Sequence, residues 1–315
     1  MTRSPVAIAW LLALTAVSAC GGDDAAAPDA AAADAAGPDA EACGDAGCPG
    51  VCAQELPCPA AGAGAVNVCG RLVDAEADEL VQAALATTDA CGAGGVDDGP
   101  CRLAISFHDA VTYAADPAAS APLAVDELTR DDCGRFRALG VAAPPGGFLA
   151  IVVDDVAGGD DLVAPTVVAT PAPATATLLT QRPYALRREI DAAWSSAAGL
   201  TGDGFAARGA ILGLFDRFGA PVAGVAITDD GAPRPADTYG FTDAAAAPRA
   251  TPSATAELTG AGGAVLLVGS AWSEHGGSGV EPTDCAWSTA FAAAIPGALF
   301  VQRFTLLDPD GDRCP

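Results

Sequence analysis

Pro144-Pro145-Gly146-Gly147-Phe148-Leu149-Ala150-Ile151-Val152-Val153 is a turn followed at once by an apolar run. The prolines restrict φ and the glycines supply the positive φ that a tight reversal needs. The run from Phe148 to Val153 ends at an acidic pair, too short for an ordinary helix, and predicts a strand buried on both faces. Upstream, Leu103-Ala104-Ile105-Ser106-Phe107-His108 alternates with period 2, which turns Leu103, Ile105 and Phe107 inward and His108 to the opposite, solvated side. Gly134-Arg135-Phe136-Arg137 alternates as well, with Phe136 inward between two solvated arginines. Downstream, residues 212–215, 222–228, 264–269 and 299–304 are further strand candidates separated by Gly, Pro and Asp. Short strands with this punctuation predict a mainly β chain built as antiparallel sandwiches.

Helical periodicity is sparse. Pro183 opens one helix, with Leu186, Ile190, Trp194 and Ala197 at helical spacing and Gly199 as its stop. Residues 284–294, where Trp287 and Phe291 stand four apart, suggest a second. The Thr/Pro/Val-rich stretch after the acidic loop 154–161 reads equally as an edge strand or a linker.

The chain has 315 residues, with 15 Lys+Arg against 40 Asp+Glu and a net charge of −25, and every basic residue is Arg. Such a surface repels phosphate backbones and anionic headgroups, so nucleic-acid binding and polybasic membrane docking are both disfavoured. Residues 1–19 combine Arg3 with an apolar run of signal-peptide length, too short for a permanent span. Val17-Ser18-Ala19-Cys20 resembles the bacterial lipobox. That resemblance implies lipidation of Cys20, which would become the mature N-terminus, and membrane contact through the lipid. Gly21 in the next position resembles outer-membrane sorting.

Residues 20–42 are nearly all Ala, Asp, Gly and Pro and predict a disordered tether. Residues 43–65 form a Cys-rich stalk that needs covalent staples. Beyond it we expect sandwich 1 over 66–156, a linker with a helix over 157–200, and sandwich 2 over 201–315. Ten Cys remain once Cys20 is set aside, an even number suited to an oxidising compartment. Cys43, Cys48, Cys52 and Cys58 fall in the stalk and are expected to pair there. Cys91 with Cys101 brackets a Gly/Asp-rich loop, Cys69 and Cys133 are left to each other, and Cys285 pairs with Cys314. Metal ligation is disfavoured, because the stalk spacing lacks paired C-x2-C ligands and has no His nearby.

Two stretches echo each other. Gly70-Arg71-Leu72-Val73-Asp74, with Leu80-Val81 downstream, parallels Gly213-Leu214-Phe215-Asp216 with residues 219–225. Each reads as a strand, a tight Asp/Gly turn and a strand pairing back. Thr129, Gly134, Phe136 and Pro144-Pro145-Gly146 then follow in the first copy, and Thr259 to Val265 in the second. This pattern resembles the carboxypeptidase-regulatory-like domains, which are transthyretin-like seven-strand sandwiches. The resemblance covers about 190 residues in two copies and implies two tandem sandwiches with a short helical segment between them. Its motifs are turn residues, so it implies a fold and no ligand.

Candidate chemistry is thin. His108 and His275 are the two histidines. Three tyrosines, Tyr113, Tyr184 and Tyr239, would meet the count for an intradiol dioxygenase, a related sandwich, but the Arg-Pro-Pro-His-x-His run of that family is absent. Ser273-Glu274-His275 gathers nucleophile, carboxylate and imidazole in one loop, with Ser270 and Ser278 beside it. No G-x-S-x-G elbow accompanies it, and triads draw their members from different elements. Asp308-Pro309-Asp310-Gly311-Asp312 alternates carboxylates as calcium loops do, yet no distal Glu follows. The expectation is therefore a cell-envelope lipoprotein, outer-membrane anchored, with no cofactor and no metal. It would display its sandwiches for binding, adhesion or structural roles toward a protein or glycan surface ligand. The alternative is an extracytoplasmic hydrolase using Ser273, Glu274 and His275.

Overall fold

The computed structural model describes residues 55–78, 103–130, 134–155, 163–202, 204–282, 284–308, 310–311 and 314. Cys20, the tether, Cys43, Cys48, Cys52, Cys91, Cys101 and Cys133 lie outside them, as do Leu80-Val81. All described residues belong to one compact unit, Pro49–Pro315.

Strands β1 (Ala65–Arg71), β2 (Val73–Asp74) and β3 (Leu103–Asp109) precede helix α1 (Ala110–Ala115). Then come β4 (Glu127–Arg130), β5 (Arg135–Ala142), β6 (Phe148–Asp155), β7 (Val163–Ala164) and β8 (Thr166–Pro171). β9 (Thr177–Gln181) and β10 (Tyr184–Arg187) lead into helices α2 (Arg188–Ala197) and α3 (Phe205–Arg208). β11 (Ala210–Arg217), β12 (Ala220–Pro221), β13 (Ala226–Asp229), β14 (Ala232–Pro233), β15 (Thr238–Phe241) and β16 (Pro252–Ser253) follow. β17 (Ala264–Val268), β18 (Ser273–Ser278), β19 (Ala286–Trp287), β20 (Ala290–Ala292) and β21 (Leu299–Leu307) complete the chain.

The chain is mainly β. Its spine is a ten-stranded sheet ordered β16-β15-β17-β11-β21-β8-β6-β3, with β12 and β19 attached to β11 and β21. The period-2 alternation of side chains gives each face of this sheet its own cover. Leu149, Ile151 and Val153 of β6, with Leu103, Ile105 and Phe107 of β3, pack on Val66, Val68, Phe136 and Val141 from the smaller sheet β4-β5-β1-β9. That is one sandwich core. On the opposite face, Ile211, Phe215, Val265, Phe300 and Phe304 pack against Ile227 and Ala292 of the sheet β14-β13-β18-β20 and against Trp287 of β19. That is the second. Trp194 of α2 and Phe205 of α3 cover Leu212, Leu214, Leu266 and Val301 where the first small sheet does not reach. Each such large side chain, once fully buried, contributes about 1.5–3 kcal/mol.

Among the described residues four pairings are parallel: β1 with β9, β2 with β10, β11 with β21, and β21 with β8. The last is the one that matters, because it joins strands of the two sandwiches edge to edge. Residues 157–200, expected as a linker with a helix, also supply β7, β8, β9 and β10. β8 is an interior strand, laddered to β6 along its whole length and to β21 at Thr166 and Val167. The Thr/Pro/Val-rich stretch therefore does neither of the two jobs its sequence suggested.

Other differences have local causes. The helix predicted from Pro183 starts five residues later in the chain, at Arg188, because residues 184–187 extend to pair with both β2 and β7. Gly199, at φ +74°, still ends it. The helix predicted over 284–294 is absent; Trp287 and Phe291 lie on β19 and β20, drawn into the sheets by β21 and β18. His108 is buried rather than solvated, because α1 folds back over it. Tyr113 meets its ring edge-on at 5.0 Å, and Ser106 and Ser120 hydroxyls lie 3.1 and 3.2 Å from its two nitrogens.

Cys285 is bonded to Cys314, as expected. Cys69 is bonded to Cys58, which corrects the pairing of Cys69 with Cys133. The reason is adjacency: Asn67 Nδ2 of β1 donates to the Pro59 carbonyl at 3.0 Å, and the Ala61 N–H donates to Thr177 Oγ1 of β9 at 2.9 Å. The last part of the predicted stalk is thus clamped onto the first sandwich.

Candidate functional site

The Asp230-Gly231 pair closes the β13–β14 hairpin with both residues at positive φ, +47° and +79°. An Asp-Gly turn of this kind suits the strand twist. It leaves Asp229 at the end of β13, paired in register with His275 of β18. Ser273 starts β18, and Ser270 stands in the loop ahead of it. β13, β18 and the loop ahead of it thereby deliver one polar cluster.

Within it, the Asp229 carboxylate accepts from Ser273 Oγ at 2.5 Å through Oδ1 and from Ser270 Oγ at 2.8 Å through Oδ2. Arg234 Nη1 adds an ion pair to Oδ2 at 2.7 Å. Burial pushes the Asp229 carboxyl up, but the two serine hydroxyls, with the Arg234 charge, more than offset it and hold the group below the usual carboxylate range. His275 is fully buried, and that burial lowers its pKa below 6.5. Its Nδ1 lies 3.1 Å from the Thr228 carbonyl, an acceptor only, so Nδ1 carries the proton and Nε2 faces Ser273 Oγ at 3.2 Å as an acceptor.

Ser273 thus has one proton and three competing acceptors, the third being the Ala271 carbonyl at 3.1 Å. The ionised Asp229 is closest and forms the strongest, charge-assisted bond. In a Ser-His-Asp relay the carboxylate orients the imidazole and the imidazole takes the serine proton. Here the serine stands between the other two, and its nearest acceptor is a carboxylate made a weak base by three donors. The cluster is a clasp between β13, β18 and the loop around Arg234, with no activated nucleophile.

Glu274 takes no part in it. As the residue between Ser273 and His275 on a strand, it points to the other face, where its carboxylate accepts from Thr289 Oγ1 at 2.5 Å. The carboxylate that the sequence placed at Glu274 is supplied by Asp229 instead. Ser270, which the sequence set beside that loop, does join the cluster, whereas Arg234 escaped sequence reading because it comes from a different turn; the Asp230-Gly231 hairpin signal was the one available pointer. Ser278, at the far end of β18, pairs with Ala226. Tyr113, Tyr184 and Tyr239 are scattered. Tyr113 packs on His108 and its hydroxyl pKa is raised to about 12 by burial, Tyr184 bonds Arg303, and Tyr239 meets Phe205. Among the described residues no three His, Cys, Asp or Glu side chains gather as metal ligands would.

No protein-family model and no curated protein matches the chain. Among solved structures, the shaft pilin SpaA of Lactobacillus rhamnosus GG is similar at 10% identity over 77% of this chain and 98% of that one, with a TM-score of 0.17. A double mutant of the same pilin aligns at 12% identity over the same shares, with a TM-score of 0.19. Likeness at that level carries no inference about activity or partners.

Proposed function

We propose that the chain is a cell-envelope lipoprotein, anchored through Cys20, that presents its β-sandwiches for binding or structural support and performs no catalysis. The observation that carries the reading is Val17-Ser18-Ala19-Cys20 behind a short apolar run and ahead of an Ala/Asp/Pro tether. Two disulfides support it, since such bonds persist on the oxidising side of a membrane. No helix among the described residues is long and apolar enough to cross a membrane. Kinship with carboxypeptidase-regulatory-like domains is part of the proposal. It is supported by the turn roles of the motif residues: Gly134 at φ +67°, the Pro144–Gly147 turn with its 3.0 Å N–H to carbonyl bond, and the Asp216–Gly219 hairpin.

The test is Cys20→Ser in the producing cell. The variant is expected to remain unprocessed or to leave the membrane fraction. Quantitative retention in detergent at the mature mass would sink the lipid anchor. The hydrolase reading keeps one observation in its favour, the Ser273–His275 approach. Ester and peptide hydrolysis that disappears in both Ser273→Ala and His275→Ala would replace display by catalysis.

A further inference from the structure

The ten-stranded sheet is split. β8 and β21 pair at Thr166–Leu299 and Val167–Phe300 and then part, although β8 runs on to Pro171 and β21 to Leu307. Each remains laddered on its other side, to β6 and β11 respectively, so the strands diverge without fraying. The next partner on the open side of β21 is Ser288, whose N–H donates to the Thr305 carbonyl at 2.8 Å. Between these points Gln302 crosses the gap, its Nε2 donating to the carbonyls of Ala169 at 3.2 Å and Phe291 at 3.1 Å. The opening holds a cavity of about 450 Å³, within the size range of small-ligand sites.

Register makes its two sides unlike. Phe148 shares a sheet face with Ala169 and Phe300, and on that side Phe148, Phe291 and Trp272 form an aromatic wall, with ring centroids 4.9 Å apart for the first pair and 5.8 Å for the stacked second. Thr170, Val301 and Arg303 belong to the opposite face, where Thr180, Arg182 and Tyr184 complete the lining. Arg303 is committed there: Asp78 holds it at 2.8 and 3.0 Å and Asp216 at 3.2 Å. Arg182 is not. It is exposed and makes no ion pair among the described residues, in a chain where Asp+Glu outnumber Lys+Arg 40 to 15. Gly70 is what lets it reach the cavity: a Cβ there would lie 1.9 Å from the Gln181 carbonyl oxygen, so only glycine allows the end of β9 to close over β1.

We propose that this slot binds a small amphipathic carboxylate, its carboxylate on Arg182 and its apolar face on Phe148 and Phe291. One free guanidinium suits a monocarboxylate, which it meets in a planar fork. A multiply charged phosphate would find no second free cation among the lining residues and would face the field of a strongly acidic protein. An aryl acid or the C–H face of a sugar acid offers the same chemistry. The site is independent of the anchor, so membrane release in Cys20→Ser would leave it unchanged.

Calorimetry and tryptophan emission of the full-length protein in detergent test it, with phenylacetate and D-glucuronate as probes and phenylacetamide and methyl glucoside as their uncharged counterparts. At least one acid is expected to bind with a millimolar or tighter Kd, its neutral counterpart about tenfold or more weaker. Preference between the acids identifies the aryl or the sugar source. Arg182→Gln is expected to lose about tenfold in affinity with an unchanged melting temperature. Failure of both acids to bind, equal binding of acid and neutral probe, or wild-type affinity in Arg182→Gln overturns the proposal.

Discussion

Asp229 and His275 face each other in register on adjoining strands, yet no hydrogen bond runs between them; the Ser273 hydroxyl occupies the space and turns to the carboxylate. The pair is therefore one fully buried and one partly buried titratable group, and stability records each of them.

Acidification should weaken the fold in two stages. His275 and His108 both have folded pKa values lowered from 6.5 by burial. The unfolded chain takes up those protons first, so their contribution is complete above 6.5 and is lost as pH falls through that value toward the folded one. Asp229, lowered from 3.8, contributes above that value and is lost as pH drops further. Melting temperature measured against pH should decline below neutrality, and His275→Gln should flatten the first stage. An unchanged slope in both His275→Gln and His108→Gln would contradict the assignment.

Residues 66–156 should not fold alone. That fragment lacks β8 and β9, so β6 and β1 each lose a neighbour, and the first core loses Val163, Ala172 and Ala185. Circular dichroism of the fragment should show no cooperative melt, while the intact chain melts as one. A sharp transition in the fragment would mean that the sheet junction at β8 and β21 is dispensable.

Much of this was legible in the sequence and some was not, for identifiable reasons. Local patterns marked β3, β6, β11, β17 and β21, because alternation and apolar runs are properties of a strand's own residues. The Cys285–Cys314 bond followed from there being no other Cys nearby. Pairing partners were invisible: nothing in Thr166–Pro171 says that β21 lies beside it. Phe291 and Trp287 stand at helical spacing and are held in strands by neighbours more than ten residues away in sequence. His108 was misplaced because a strand's second face is solvated only if nothing folds over it. At the polar cluster, two of three members of the predicted Ser-Glu-His set meet, and the acid comes from Asp229, distant in sequence and adjacent only through the β13–β18 ladder.

Gly70→Ala should be among the costliest single-methyl additions in the chain. The new Cβ would overlap backbone, the Gln181 carbonyl, and backbone cannot rotate away as a side chain can. A loss of roughly 2–4 kcal/mol is expected in denaturant titration, with weaker ligand binding at the slot. A melt within error of wild type would show that β9 can shift freely.

Replacing Cys285 and Cys314 together by Ala should lower stability by roughly 3 to 4 kcal/mol through loss of loop closure, across a separation of 29 residues. Chemical denaturation of the double variant measures it, and proteolytic mapping without reduction should return a peptide joining Cys58 to Cys69. Recovery of Cys69 attached to Cys133 would refute that bridge.

The Cys58–Cys69 bond also sets how the molecule carries load. Tension applied to the chain ahead of Cys58 passes through the sulfur bridge into the middle of β1, bypassing residues 59–68. Cys69 sits in the ladder opposite Arg137 of β5, with β9 on the other flank of the strand. A pull there enters the strand between its two flanking ladders, where a pull on Ala65 would enter at the strand's end. The covalent bypass means that load entering at Cys58 is taken up by the ladders of the first sandwich rather than by residues 59–68.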